Sequence, residues 1–455
     1  MRLDVISWAL YDFANTIYSM NILSLYFAGW LVVDLGYKDI YYSVAFSASM
    51  AAAAVLMPAL GYISDVKNAG ADSGKSRISQ PKLLYLFIFT VGAVGSVMIF
   101  AALPAGAVLP ILVLFSLSNF FYEGGIVFYN SLLGSVSNKD NIGKVSGFGV
   151  SLGYLGSIAG MVLVLPFVTG QLFGLDIPFV DGGGKSAAFL PTAIFYGLFA
   201  VPVFLFVREK TVGGLECDIN RTAADGTGGT GLKRAYRDVW HSIRATREHP
   251  GLLRFLISDY LFEDAIATVI IFMAIFTERV LNMTDMERTI FFIISTVFAM
   301  IGAYIMGLLA DSFSPKKVLA GIVVGWILVL ILFAVNSFKM VFWFLGPAVG
   351  IFLGGVWAVS RPLLVQLAPP NKLGEFFGLF SLSGRAAAIC GPLVWGGVVL
   401  LLSPEQPLGR FAASTFGLGA DAAAKLPYRC AVLALAAMMA LGLYIFRKVP
   451  DRKKV

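Results

Sequence analysis

Gly307-Leu-Leu-Ala-Asp311-Ser-Phe-Ser-Pro-Lys316-Lys317 ends one long apolar run and opens the next, and Gly61-Tyr-Ile-Ser-Asp65 ends an apolar run in the first half of the chain. In both stretches Gly permits close helix contact, and Asp can cap the next helix N-terminus or pair with a base. Further matches flank them in the same order. Ser7-Trp-Ala-Leu-Tyr-Asp12-Phe-Ala14 corresponds to Ser258-Asp-Tyr-Leu-Phe-Glu263-Asp-Ala265. Gly143, Gly147, Gly153, Ile158 and Gly160 recur at a constant offset as Gly374, Gly378, Gly384, Ile389 and Gly391. Three ordered matches predict a six-plus-six duplication.

The apolar runs lie roughly at 4–34, 40–64, 83–103, 107–134, 145–169 and 188–207, then at 252–280, 288–310, 317–336, 340–367, 375–402 and 428–447. Each can cross the hydrocarbon layer as a helix. Composition agrees: 58% of the 455 residues are hydrophobic and 13% charged, whereas soluble domains run near half apolar and a quarter charged. The expected fold is an all-α polytopic membrane protein, with twelve transmembrane helices in two pseudo-symmetric six-helix bundles. The predicted domains are an N-terminal bundle (1–207), a linker (208–250) and a C-terminal bundle (251–455). The linker holds a flexible Gly-rich stretch, 223–231, then an amphipathic one, 232–248. The outer loops near 171–186 and 403–427 read as connections.

Most of the 34 Lys and Arg residues fall in one set of loops, including 67–82, 139–144, 208–254, 316–317, 372 and 447–454. The positive-inside rule then makes both termini cytoplasmic. The net charge of +7 follows from this bias, so nucleic-acid binding is not needed to explain it. Three scattered cysteines and two loop histidines indicate no disulfide framework, metal site or cofactor. The first apolar run is long enough to stay in the membrane instead of acting as a cleaved leader.

Ionisable residues inside spans cost about 2.5–3.5 kcal/mol each and face the bundle interior. The candidates are Asp12, Glu123, Glu263, Asp264, Arg361 and Arg385. Asp12, Asn15, Thr16 and Ser19 form a stripe at helical spacing, and Asn119, Glu123 and Asn130 share a face with Tyr122 and Tyr129 nearby. Plainer readings stand beside these. Asp12 can be a solvated helix-start residue, the tyrosines can be core aromatics, and one of Glu263 and Asp264 can pair only structurally with an Arg. Asp65 and Asp311 read as gate elements.

The Gly307–Lys317 stretch resembles the signature between helices 2 and 3 of the major facilitator superfamily. More narrowly, the chain resembles the vacuole-effluxer-like family, which includes fungal autophagy-related amino-acid effluxers. The resemblance is carried by Trp8-Ala-Leu-Tyr-Asp-Phe-Ala-Asn15, Phe128-Tyr-Asn-Ser-Leu-Leu133, Gly143-Lys-Val-Ser-Gly-Phe-Gly149 and Gly153-Tyr-Leu-Gly156. It continues in Leu261-Phe-Glu-Asp264, Gly354-Gly-Val-Trp-Ala-Val-Ser-Arg361, Glu375-Phe-Phe-Gly378 and Leu382-Ser-Gly-Arg385. The chain departs from the family at Glu263, where members usually have Asn, at Gly134 in place of Pro, and at Arg385, where Lys is frequent. The resemblance implies a cavity lined by helices 1, 4, 7 and 10, onto which Asp12, Glu123, Glu263 or Asp264, and Arg361 map.

The expected function is secondary active transport by alternating access, coupled to protons or sodium. A buried carboxylate among Glu123, Glu263 and Asp264 would load and release the proton. Arg beside acid suits a zwitterion or an organic anion, and the resemblance implies export of an amino acid or small peptide. The protein is expected as a monomer in the inner (plasma) membrane. The rival readings are a receptor or scaffold keeping the fold, and a membrane-embedded transferase.

Overall fold

The computed structural model describes residues 2–37, 39–69, 80–172, 175–176, 182–210, 251–283 and 285–451. The predicted amphipathic stretch 232–248 and Cys217 lie outside them. Helix α1 runs from Leu3 to Tyr18 and continues through π-helical turns at Ser19–Tyr26 and Trp30–Asp34, with Phe27–Gly29 between them. The first half then comprises α2 (Asp39–Ala69), α3 (Pro81–Ala102), α4 (Val108–Ser131), α5 (Ile142–Thr169) and α6 (Phe189–Phe206). The second comprises α7 (Leu252–Leu281), α8 (Asp285–Ser312), α9 (Pro315–Val335), α10 (Lys339–Leu367), α11 (Leu373–Leu402) and α12 (Ala420–Phe446). Among the described residues, nine helices are long and apolar enough to cross a membrane, or ten with the bent α7. Helices α1 and α11 are the remaining long ones, which agrees with the predicted twelve.

Local chemistry sets the helix starts. Proline opens α3 and α9, where its missing N–H is no loss. Ser314 caps α9 by accepting from the Lys317 N–H at 3.3 Å. The largest differences from the sequence reading lie before and at the start of α12. Helix α12 begins at Ala420, earlier than 428, because an Ala-rich first turn is joined by the Asp421–Lys425 pair one turn apart, at 2.7 Å. The loop before it is not plain connection: Pro407–Thr415 forms a short helix.

The chain divides into two compact units, Met1–Ser242 with Ala368–Leu382, and Ile243–Leu367 with Ser383–Val455. The N-terminal part of α11 thus belongs with the first unit. Each unit is held by small residues where helices cross, the usual device when lipid surrounds the bundle. In the first, α1 lies on α5 so closely that a side chain at Gly156 would collide with the Phe13 backbone. There the Thr16 hydroxyl donates to the Gly153 carbonyl at 2.6 Å. In the second, Gly350 and Gly354 of α10 press on the Ser295 and Ala299 backbone of α8. Leu109, Phe344 and Leu393 stand out from the bundles, at least 70% exposed. Acyl chains are the medium that suits such surface.

Candidate functional site

In the first unit the polar stripe of α1 turns inward. Asp12 and Asn15 are buried, and the Asn15 Oδ1 has no hydrogen-bond partner among the described residues. Burial of Asp12 replaces the reading of a solvated helix start. Glu123 is half-buried midway along α4. Its neighbour Gly124 lets the Phe89 ring and the Met57 sulfur come close, and Gly125 faces the Tyr11 hydroxyl. Asn119 donates to Ser49 Oγ at 2.7 Å, and Asn130 is buried with its Oδ1 unbonded among the described residues.

The tyrosines make an ordered core. Tyr122 stacks on Tyr18 with centroids 4.6 Å apart, and the Tyr18 hydroxyl lies 2.8 Å from Ser118 Oγ. Tyr11 bonds to Thr90 at 2.9 Å and to Tyr196 at 3.1 Å. Tyr129 stacks on Trp8, whose indole N–H donates to the Tyr129 carbonyl at 3.0 Å. Buried hydroxyls that are bonded and rings that stack hold α1, α3, α4 and α6 together.

In the second unit α7 presents its charged groups to different neighbours. The Trp357 indole of α10 donates to Glu263 Oε2 at 3.1 Å, and Arg361, one turn further along α10, acts electrostatically on Glu263. Both Glu263 and Arg361 are half-buried. Asp264 points to α11 instead, where its Oδ1 accepts the Gly391 N–H at 2.8 Å. A side chain at Gly391 would collide with Thr268 and Asp264. Of the two acids, one of which was expected to pair with an Arg, Glu263 stands beside Arg361, and Asp264 has a backbone partner next to Pro392, inside α11. The Arg385 side chain lies outside the described residues.

Asp259 is a buried acid that the sequence reading missed. It is fully buried, one turn before Glu263, and its Oδ1 accepts from Ser360 Oγ at 3.0 Å. The signal that could have found it was in the repeat, which sets Asp259 opposite Trp8.

At the end of α2, Asp65 is buried against Lys82 of α3, at 2.8 Å. Its other oxygen accepts the Glu375 N–H in the first turn of α11 at 2.9 Å, where a carboxylate also meets the positive end of the helix dipole. Gly61 and Gly374 bring these two backbones together. The counterpart Asp311 is half-buried at the end of α8.

Just past α6, Glu209 accepts the Leu83 N–H at 2.7 Å, while its own N–H donates to the Gln80 side chain at 2.8 Å. Burial pushes the Glu209 carboxyl up from 4.5 to about 7, against the opposing pull of the Leu83 N–H and Lys82. The folded chain therefore holds this proton more tightly than the unfolded chain. Stability should fall as pH rises from about 4.5 through about 7 and level off above. Glu209→Gln should flatten that slope in thermal unfolding. An equally steep profile in the variant would assign the slope to other groups.

A family model described as vacuole effluxer Atg22 like matches residues 38–399. An uncharacterized MFS-type transporter of Bacillus subtilis, YxiO, is 25% identical over 90% of each chain. Autophagy-related protein 22 of Kluyveromyces lactis is 31% identical over 37% of this chain and 36% of its own length. Among solved structures, the major facilitator transporter FucP in the outward conformation matches with a TM-score of 0.65 at 13% identity, covering 99% of this chain and 98% of that one. The human organic anion transporter MFSD10 gives 0.63 at 11%, covering 98% and 99%. With an acid and a base close together inside its long apolar helices, and a family match over most of its length, this chain belongs to the vacuole effluxer Atg22-like family of MFS-type membrane transporters.

Proposed function

We propose that the protein is a proton-coupled secondary transporter that works by alternating access and exports a small zwitterion or organic anion, with an amino acid the first choice. The observation that carries this reading is Glu263 on α7 beside Arg361 on α10, both half-buried inside spans. Charge inside a membrane is costly and is kept where it binds a substrate or ion. Arg361 offers a fork for a carboxylate, and Glu263 offers an acceptor for an amine or a proton. Asp12, Asn15, Glu123, Tyr122 and Asn130 serve the same transport path from the first bundle, and Asp264 holds α7 to α11. Arg385 joins the site by family resemblance. Asp65 acts as a gate latch through Lys82 and the start of α11, with Asp311 its counterpart. The bundles are 1–207 and 251–455, joined by the linker 208–250, in a monomer.

Counterflow tests the reading. Proteoliposomes preloaded with an amino-acid mixture should take up labelled amino acids transiently above equilibrium, and organic anions form the second panel. Binding without counterflow would favour a receptor that keeps the fold.

By the positive-inside rule the basic loops support cytoplasmic termini, and the proposed location is the inner (plasma) membrane. In a variant freed of Cys217, Cys390 and Cys430, an impermeant thiol reagent added outside should label Cys at position 183 or 412 and spare position 228. The reverse pattern would invert the topology.

A further inference from the structure

The two halves solve one contact in different ways. The repeat places Trp8 of α1 and Asp259 of α7 at equal positions. Trp8 lies on Tyr129 of α4, a stacked aromatic pair. Asp259 instead bonds to Ser360 of α10. Aromatic packing holds this crossing in the first half, so a fully buried carboxyl at the same place is not required by the architecture. It carries a desolvation cost that packing alone would avoid.

The surroundings of Asp259 define its charge. Its Oδ1 has the Ser360 hydroxyl, and its Oδ2, also buried, has no hydrogen-bond partner among the described residues. Glu263 is one turn away on the same face, about 6 Å along the axis. Helix α10 contributes one cation, Arg361, which acts on Glu263. Helix α12 meets this stretch of α7 with Gly442 and Phe446 against Phe255 and Phe262. Helix α11 approaches with Ser383, which donates to the Leu256 carbonyl at 3.2 Å, and with Cys390, which accepts from Tyr260. Asp264 faces Gly391, and Arg254, at the helix end, donates to the Lys448 carbonyl at 3.1 Å.

From this geometry we infer that Asp259 and Glu263 form a carboxyl pair that binds one proton, resident on Asp259 Oδ2, with Arg361 balancing the single negative charge left on Glu263. The inference deepens the proposed transport reading by naming the proton site. A substrate carboxylate that engages Arg361 would withdraw the counter-charge of Glu263. The pair then recovers neutrality by taking up a second proton at Glu263, and releases it when the substrate leaves. Proton and charge balance at each stage: the cluster is neutral when empty, the incoming anion is matched by the incoming proton, and the two cross together, so net export runs down the gradient of the substrate itself.

Infrared spectroscopy of the reconstituted protein, without any substrate, reads the resident proton directly. At neutral pH the carboxylic C=O band of Asp259 should appear in wild type and persist in Glu263→Gln. It should vanish in Asp259→Asn, which keeps side-chain size and the acceptor for Ser360. Ser360→Ala should leave the band but move its frequency, because it removes the donor to Oδ1; this variant decides the matter if Asp259→Asn does not fold. An Asp259→Asn spectrum that matches wild type, or a Ser360→Ala band that does not move, overturns the proposal. Failed counterflow with the band present would reject the transport reading and leave the proton site standing.

Discussion

Lys82→Ala should lower the stability of the purified protein by about 3–5 kcal/mol, the usual cost of stranding one member of a buried ion pair. Both partners are about 5% exposed and their charged atoms are 2.8 Å apart. Removing the ammonium leaves the Asp65 carboxylate buried with the Glu375 N–H as the partner that remains at its other oxygen. Glu209, whose carboxyl already feels both Lys82 and Asp65, would lose the cation that favours its ionised form. The loss should therefore deepen with rising pH. Asp65→Asn with Lys82→Met is the control: it removes both charges and keeps an acceptor for the Glu375 N–H, and should recover most of the loss. Thermal unfolding followed by tryptophan fluorescence measures all three proteins. A Lys82→Ala protein within about 1 kcal/mol of wild type would mean that water reaches the pair and that it is no latch.

The fold was legible because its spacing rules are local. Apolar runs long enough to span, and glycines at a constant offset, mark where helices must lie and where they must touch. Gly160 and Gly391, one such pair, do meet backbone or side chains that crowd a β-carbon. The Asp of the Gly61–Asp65 stretch was also readable as a cap of the next helix or an ion-pair member: it pairs with Lys82, and the helix start it meets is that of α11 instead of α3. Its cation was harder to name, because Lys82 follows a long insertion and several other basic residues precede it. Asp259 shows the limit most clearly. Its partner Ser360 lies 101 residues away on another helix, and nothing local separates an acid facing that hydroxyl from one facing lipid. The repeat marks where the halves are alike; the informative positions are those where they differ, Trp8 against Asp259 and Phe13 against Asp264. The start of α12 was misplaced for a related reason. Its first turn is Ala-rich and charged, which reads as loop on a hydropathy scale and as helix on a propensity scale.

Glu263→Gln should abolish accumulation driven by a pH gradient while leaving exchange intact. The amide is nearly isosteric and its oxygen still accepts the Trp357 N–H now bonded at 3.1 Å, so packing between α7 and α10 survives. What disappears is the ability to alternate between charged and neutral forms beside Arg361. One proton moving down a one-unit pH gradient supplies about 1.4 kcal/mol, enough for about tenfold accumulation. In vesicles under that gradient, a labelled amino acid that exchanges through wild type should reach that excess in wild type and only equilibrium in the variant. Exchange at zero gradient should proceed in both, because a permanently neutral site still cycles when loaded on either side. Asp264→Asn is the matched control, since its amide oxygen can still accept from Gly391 and its role at α11 requires no proton. If Glu263→Gln accumulates as wild type does while Asp264→Asn does not, the roles are reversed and Asp264 carries the coupling. If exchange and accumulation fall together in Glu263→Gln, the carboxylate is a ligand for the substrate amine, and the driving proton must be carried elsewhere, with half-buried Glu123 on α4 the next acid to replace.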